Sequence, residues 1–248
     1  MPDLNWNRTA WEGYDWTLFG EEWSATWGGS EAQWFGALYP RIHRLLPARN
    51  LLELGPGGGR WARFLIPASA GYLGIDLSAA AVDACALRFA DAPHARFVQN
   101  DGFALDAAPD GAFDCIFSFD SLVHAEIDVF HAYLPQLIRK LAPDGVAFLH
   151  HSNLGGFDLP DGVHDHVRAR SVSARAVGDL VAASGGRLII QEIIDWPDAG
   201  PIDCFTAFAR ADSPGGGGGP MRLLNLDFTR EAALIAKYQQ PWCGLRGS

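Results

Sequence analysis

The chain holds 248 residues, 48% hydrophobic and 19% charged, enough to bury a sizeable core and too apolar for a disordered chain. Its formal net charge is −10, and its 19 basic residues are scattered, which argues against a nucleic-acid partner, since neutralising phosphates needs clustered Lys and Arg. Four distant cysteines (Cys85, Cys115, Cys204, Cys243) form no CxxC pair, so neither a zinc site nor a disulfide frame is expected, and a reduced, cytoplasmic setting is the default. The first residues lack the basic start and apolar core of a signal peptide. No apolar run approaches ~18 residues, so no membrane partner is expected.

Residues 1–45 read as an aromatic-rich helical segment, either a layer on the sheet or a lid over a site. Six of the nine tryptophans fall here, Trp6, Trp11, Trp16, Trp23, Trp27 and Trp34, among several Asp and Glu. Rings beside acids suit a positively charged ligand. Ser30 followed by Gln33 reads as a helix N-cap.

Residues 46–212 read as a core in which strands alternate with helices. Asn50–Leu54 is a first strand, and four glycines follow within five residues, Gly55, Gly57, Gly58 and Gly59. Glycines at a strand-to-helix turn let a ligand approach the backbone and aim free N–H groups at it. The second strand ends at Asp76, 21 residues beyond Gly55, close to the ~20-residue spacing at which a carboxylate meets ribose hydroxyls. Ser78 caps an alanine-rich helix. Further strands are expected over 95–99, 113–119, 146–150, 187–194 and 203–209, with helices near 129–141 and from Ser173 to Ala183. The last two strands are joined too tightly for a parallel crossover and should be antiparallel neighbours. The expected fold is therefore α/β and doubly wound, with a mostly parallel seven-stranded sheet and an antiparallel last strand. Residues 213–220 read as a Gly-rich linker. Residues 221–248 read as a tail with a short helix, docking on its own chain or on the partner of a homodimer.

A dinucleotide fingerprint would place a third glycine where Arg60 stands. What stands here is Glu53-x-Gly55-x-Gly57-x-Gly59, with Asp76, with Asn100-Asp101-Gly102, and with a strand-and-loop from Asp114 to His124. In these features the stretch 51–210 resembles a class I S-adenosylmethionine-dependent methyltransferase. Trp27–Trp34, Phe117–His124 and His150–Asn153 resemble a bacterial subgroup found beside natural-product, surface-sugar and modified-peptide pathways.

The resemblance implies S-adenosyl-L-methionine as cofactor and S-adenosyl-L-homocysteine as product. It implies that Gly55 and Gly57 pass the methionine part close to the backbone, that Asp76 and Leu77 meet the ribose, and that Asp101, Gly102 and Phe103 hold the adenine. Phe119 and Asp120 would face the methionine end, and Trp27 would be a further cofactor contact. Glu53 would either touch the cofactor or hold the loop through backbone N–H groups.

Methyl transfer to a hydroxyl or ammonium needs a base, and His124 and His151 are the candidates. His150 and His151 should point to opposite faces of the sheet, and His151 is preferred because it lies further past the strand end. Trp16, Trp23, His150, Arg168 and Arg170 are candidate acceptor contacts, the arginines suiting a carboxylate or phosphate. Asp161, His164, Asp165 and His166 with His151 lack diagnostic ligand spacing, so no metal is expected. The expected acceptor is a small molecule or short peptide, methylated on O or N. The competing readings are a nicotinamide-dependent oxidoreductase and a non-catalytic partner that keeps the fold.

Overall fold

The computed structural model describes residues 2–160, 163–214 and 218–245. A single sheet organises them, with strands β1 (Ala48–Leu54), β2 (Ser69–Asp76), β3 (Ala95–Gln99), β4 (Phe113–Ser118), β5 (Leu141–Ser152), β6 (Gly186–Trp196), β7 (Gly200–Arg210) and β8 (Met221–Asn225). The order is β3-β2-β1-β4-β5-β7-β6-β8. The first five strands are mutually parallel, and β7 runs antiparallel to both β5 and β6. This is the expected methyltransferase-type Rossmann-like sheet with eight strands instead of seven. The extra strand comes from the tail, where β8 adds parallel to β6. Three of its side chains, Met221, Leu223 and Leu224, are exposed, so no alternation of apolar and polar residues marks it as a strand.

Strand alternation sorts the core into two halves. Leu52, Leu54, Leu73, Ile75, Ile116 and Leu149 face α6 (Ile127–Lys140) and α7 (Ala174–Ala183). Leu51, Tyr72, Cys115, Phe117, Phe148 and Phe205 face the other way. That second face is covered by α2 (Ser30–Gln33), a π-helical turn at Trp34–Leu38, α3 (Tyr39–Ile42), α4 (Ala62–Leu65) and α8 (Phe228–Tyr238). The tail thus docks on its own chain: Phe228, Ala232 and Ile235 are buried there, and Arg41 bridges Glu192 at 2.6 Å and Glu231 at 3.2 Å.

Helix caps follow the sequence with one exception. Ser78 accepts from the Ala81 N–H at 3.1 Å at the start of α5 (Ala79–Arg88), and Ser173 accepts from Ala176 at 3.1 Å. Ser30 does not cap: α2 begins at Ser30 itself, behind Gly29, and the hydroxyl bonds Glu21 and Arg63. The first helix, α1 (Leu4–Glu12), lies across the carboxyl ends of the strands. Asn7 donates to the carbonyl of His124 at 2.8 Å, and Glu12 accepts from the Ala79 N–H at 2.9 Å, tying α1 to the start of α5.

Candidate active site

Three adjoining clefts open at the carboxyl ends of the parallel strands, where α/β sheets bind ligands. The first spans about 590 Å³, part of it open to solvent, between α1, the strand ends and α6, and Leu4, Trp11, Asp76, Leu77, Gly102 and Tyr133 line it. The second, of about 470 Å³, lies over the glycine loop against Trp16, Trp23, Arg60, Trp61, Phe119 and Asp120. The third, of about 1000 Å³, lies between Trp23, Trp27, Asp120, His124, Arg168 and Trp196. Gly55 and Asp76 line both of the first two.

The loop glycines are there for conformation. Gly55, Gly57 and Gly59 have φ of 66°, 55° and 84°, in the left-handed region that a side chain disfavours. A Cβ on Gly55 would also lie 1.9 Å from the Ser121 hydroxyl. This turn brings the Gly57 N–H to Asp76 Oδ2 at 2.9 Å, while Ser78 N–H donates to Oδ1 at 2.9 Å. Burial raises the Asp76 carboxyl above its ordinary value, and these N–H bonds oppose the rise. Each oxygen keeps a lone pair for a further donor, which is what a vicinal diol requires.

Other expected cofactor residues divide. Leu77 and Gly102 line the first cleft, Phe119 and Asp120 the second. Asp101 and Phe103 do not line either: Asp101 Oδ1 accepts from the N–H groups of Phe103 at 2.8 Å and Ala104 at 2.7 Å, which keeps the acid low and builds the turn that presents Gly102. Trp27 stands apart from both clefts. It is buried against Trp196 and Phe228 and lines the third. Glu53 neither holds the loop through N–H groups nor reaches a cleft. It lies in the core, takes the Tyr72 hydroxyl, and is pushed by burial up to about 8.

The histidines correct the expectation. β5 runs on to Ser152 and stays paired with β7, so His151 remains inside the sheet. Its ring packs on Phe130 on the α6 side, and its nitrogens bond Ser152 O and Thr206 Oγ1, both at 2.7 Å. Burial depresses it to about 4. It cannot serve as a base at the clefts. His150 points to the other face, fully buried against Phe119, where its Nδ1 accepts from the Asp120 N–H at 3.2 Å. It supports the site without lining a cleft. His124 does line the third cleft. Its Nδ1 meets Val167 O at 2.8 Å, and burial, with Arg168 adding, depresses it to about 4.

Arg168 is not a free fork for an anion. It clamps Asp203 at 2.9 and 2.7 Å and stacks on Trp196 at 4.6 Å. His150 Nε2 lies 3.2 Å from the same carboxylate. Burial opposes ionisation of Asp203, yet Arg168 and then His150 hold it well below the usual carboxylate range. Arg170 is exposed, pairs with Asp165 at 2.6 Å, and lies outside the three clefts. Asp161 lies outside the described residues; among the described residues no cluster of three metal-ligating side chains occurs.

Trp11, Arg60 and Asp203 were not anticipated. Trp11 lines all three clefts. Arg60, which stands where a dinucleotide fingerprint has its third glycine, is buried under Trp23 and pairs with Asp120 at 2.8 Å. A basic residue inside an otherwise apolar turn, Gly59-Arg60-Trp61-Ala62, was the available signal.

Residues 51–145 match the family model of a methyltransferase domain. The match covers β1 through the start of β5, the part of the chain that carries the glycine loop and Asp76. No curated protein matches the chain. Solved structures similar to it include the PH0226 protein of Pyrococcus horikoshii, 18% identical over 80% of this chain and 100% of that one, with a TM-score of 0.55. A TehB-like SAM-dependent methyltransferase of Corynebacterium glutamicum is 21% identical over 78% and 96%, TM-score 0.52. The N-methyltransferase NodS of Bradyrhizobium japonicum is 15% identical over 69% and 93%, TM-score 0.55. At such identities the likeness is one of fold. Among the described residues no helix is long and apolar enough to cross a membrane.

Proposed function

We propose that the protein is an S-adenosylmethionine-dependent methyltransferase that methylates an O or N atom of a small molecule or short peptide, in bacterial secondary metabolism. The observation that carries this is Asp76, held by Gly57 and Ser78 at the wall shared by two clefts, with spare lone pairs on both oxygens. Support also comes from the methyltransferase-domain match over the same residues. The acidic chain favours a small or peptidic acceptor in the cytosol over a nucleic acid.

The residues fit the cofactor. Asp76 would accept from both ribose hydroxyls, and Leu77 and Gly102 would flank the base in the first cleft. Arg60 Nε and Trp61 Nε1 are buried N–H groups with no acceptor, on residues that line the second cleft, and they suit the carboxylate of the amino-acid end. When bound, S-adenosylmethionine supplies a methyl carbon on a sulfonium, a leaving group that needs no further activation.

The protein's own work is then alignment and exclusion of water. Trp11, Trp16 and Trp23, with ring centroids 5.9–6.4 Å apart, roof the second cleft. His124, neutral at physiological pH, would orient the acceptor and act only weakly as a base.

Equilibrium titration with S-adenosylhomocysteine and with NAD tests the reading. Binding of the former alone is expected; binding of NAD alone would return the chain to the oxidoreductases.

A further inference from the structure

We infer that the third cleft is the acceptor site and that it takes a primary amine carried on a flat, apolar body. The inference rests on the methyltransferase reading and adds the class of acceptor. The third cleft shares Trp11, Trp23 and Asp120 with the second, so the two meet along one wall.

The polar groups around it leave a short inventory. Asp120 Oδ2 takes Arg60 at 2.8 Å, whereas Oδ1 has only Arg168 at 3.9 Å, too far to be a hydrogen bond. His124 directs Nδ1 to Val167 O at 2.8 Å, which leaves Nε2 with a lone pair. His166 Nε2 is engaged by Pro197 O at 3.0 Å, and His164 Nδ1 accepts from the His166 N–H at 2.9 Å. Arg168 spends its charge on Asp203. Among the donors, Trp27 Nε1–H is buried with no acceptor, and His164, whose Nδ1 accepts, keeps its Nε2–H for a further partner. Asp120 Oδ1 and His124 Nε2 are thus acceptors that remain open, and the charges of Arg60 and Arg168 are both already paired with carboxylates.

That inventory discriminates between acceptor classes. A carboxylate or phosphate would bring negative charge to Asp120, where Arg60 and Arg168 are already paired. A hydroxyl has one hydrogen for two acceptors and requires a base that His124 does not supply. A primary amine donates one N–H to Asp120 and one to His124, leaving its lone pair free to attack. The indoles of Trp11, Trp23, Trp27 and Trp196 attract its ammonium form from solvent and pack on its body.

The step balances. The ammonium gives one proton to water, the nitrogen lone pair forms the new N–C bond, and the C–S bond breaks with its electron pair going to sulfur. The positive charge passes to nitrogen, and the methylated ammonium sheds its proton to water after release.

Tyramine, its alcohol analogue tyrosol and the acid 3-(4-hydroxyphenyl)propanoate are suitable probes, since all three carry the same body with a phenol oxygen. Calorimetry begins with S-adenosylhomocysteine; if that does not bind, the methyltransferase reading itself fails. On the loaded protein, tyramine is expected to bind at least tenfold tighter than tyrosol, with the acid weakest. Incubation with S-adenosylmethionine should yield N-methyltyramine. Equal or tighter binding of tyrosol or the acid, binding of none of the three, methylation at the phenol oxygen, or no methylation would overturn the inference. Asp120→Asn should weaken tyramine at least tenfold and tyrosol less than threefold. The two ligands control for folding in the same sample, and equal losses for both would contradict the role of Asp120.

Discussion

The first cleft draws its polar wall from the ends of three consecutive parallel strands, Gly55 after β1, Asp76 on β2, and Asn100 and Gly102 after β3. The third draws its wall from four separated stretches, 11–27, 120–124, 164–168 and 196–197. In the first, backbone conformation and hydrogen bonds between near neighbours set the geometry. In the third, buried ion pairs between distant residues set it. The first is therefore a rigid property of the fold, and the third is a property of side chains that depend on one another.

Breaking the third cleft's support should have the largest effect. Arg168→Met leaves Asp203 buried without its main counter-charge, and a loss of about 3–5 kcal/mol in urea-unfolding stability is expected. S-adenosylhomocysteine affinity of the fraction that remains folded should change less than threefold. A larger change would mean that the two regions are one unit.

Glu53, in the core beside Tyr72 and just before the glycine loop, sharpens the comparison. Its folded value of about 8 lies above its ordinary 4.5, so the folded state holds a proton that the unfolded state releases. Its stabilisation is full at low pH and is lost as pH rises towards 8, at about 1.4 kcal/mol per unit. His124 and His151 act in a different window. Both fold at about 4 against an ordinary 6.5, so stability falls as pH drops below 6.5, where only the unfolded chain takes their protons. Between pH 6.5 and 8 the wild type should lose stability while Glu53→Gln stays flat. A flat wild-type profile would show that Glu53 is ionised in the fold.

The smallest effect belongs to Arg170→Ala. Its ion pair with Asp165 is exposed, so stability should change by less than about 0.5 kcal/mol and methyl transfer by less than twofold. A tenfold loss of activity would put Arg170 back among the acceptor contacts.

The same contrast explains what could be read from the sequence. Gly55, Gly57, Asp76 and the antiparallel β6–β7 pair were legible because spacing alone constrains them. The alternation of His150 and His151 was legible too, but not which face held the clefts. β5 continues to Ser152, which buries the residue that a shorter strand would have left at the rim. Arg168 looked free because its partner, Asp203, lies 35 residues away on β7. β8 was hidden because an exposed edge strand carries no alternation.

Asp76 is the proposed holder of the ribose of S-adenosylmethionine. Calorimetric titration of S-adenosylhomocysteine into the wild type and Asp76→Ala tests this role most directly. One-to-one binding to the wild type is expected, with a loss of at least 100-fold in the variant, about 3 kcal/mol for two hydrogen bonds to a charged group, and an unchanged circular-dichroism spectrum. Equal affinity in both proteins, or no binding to the wild type, would contradict it.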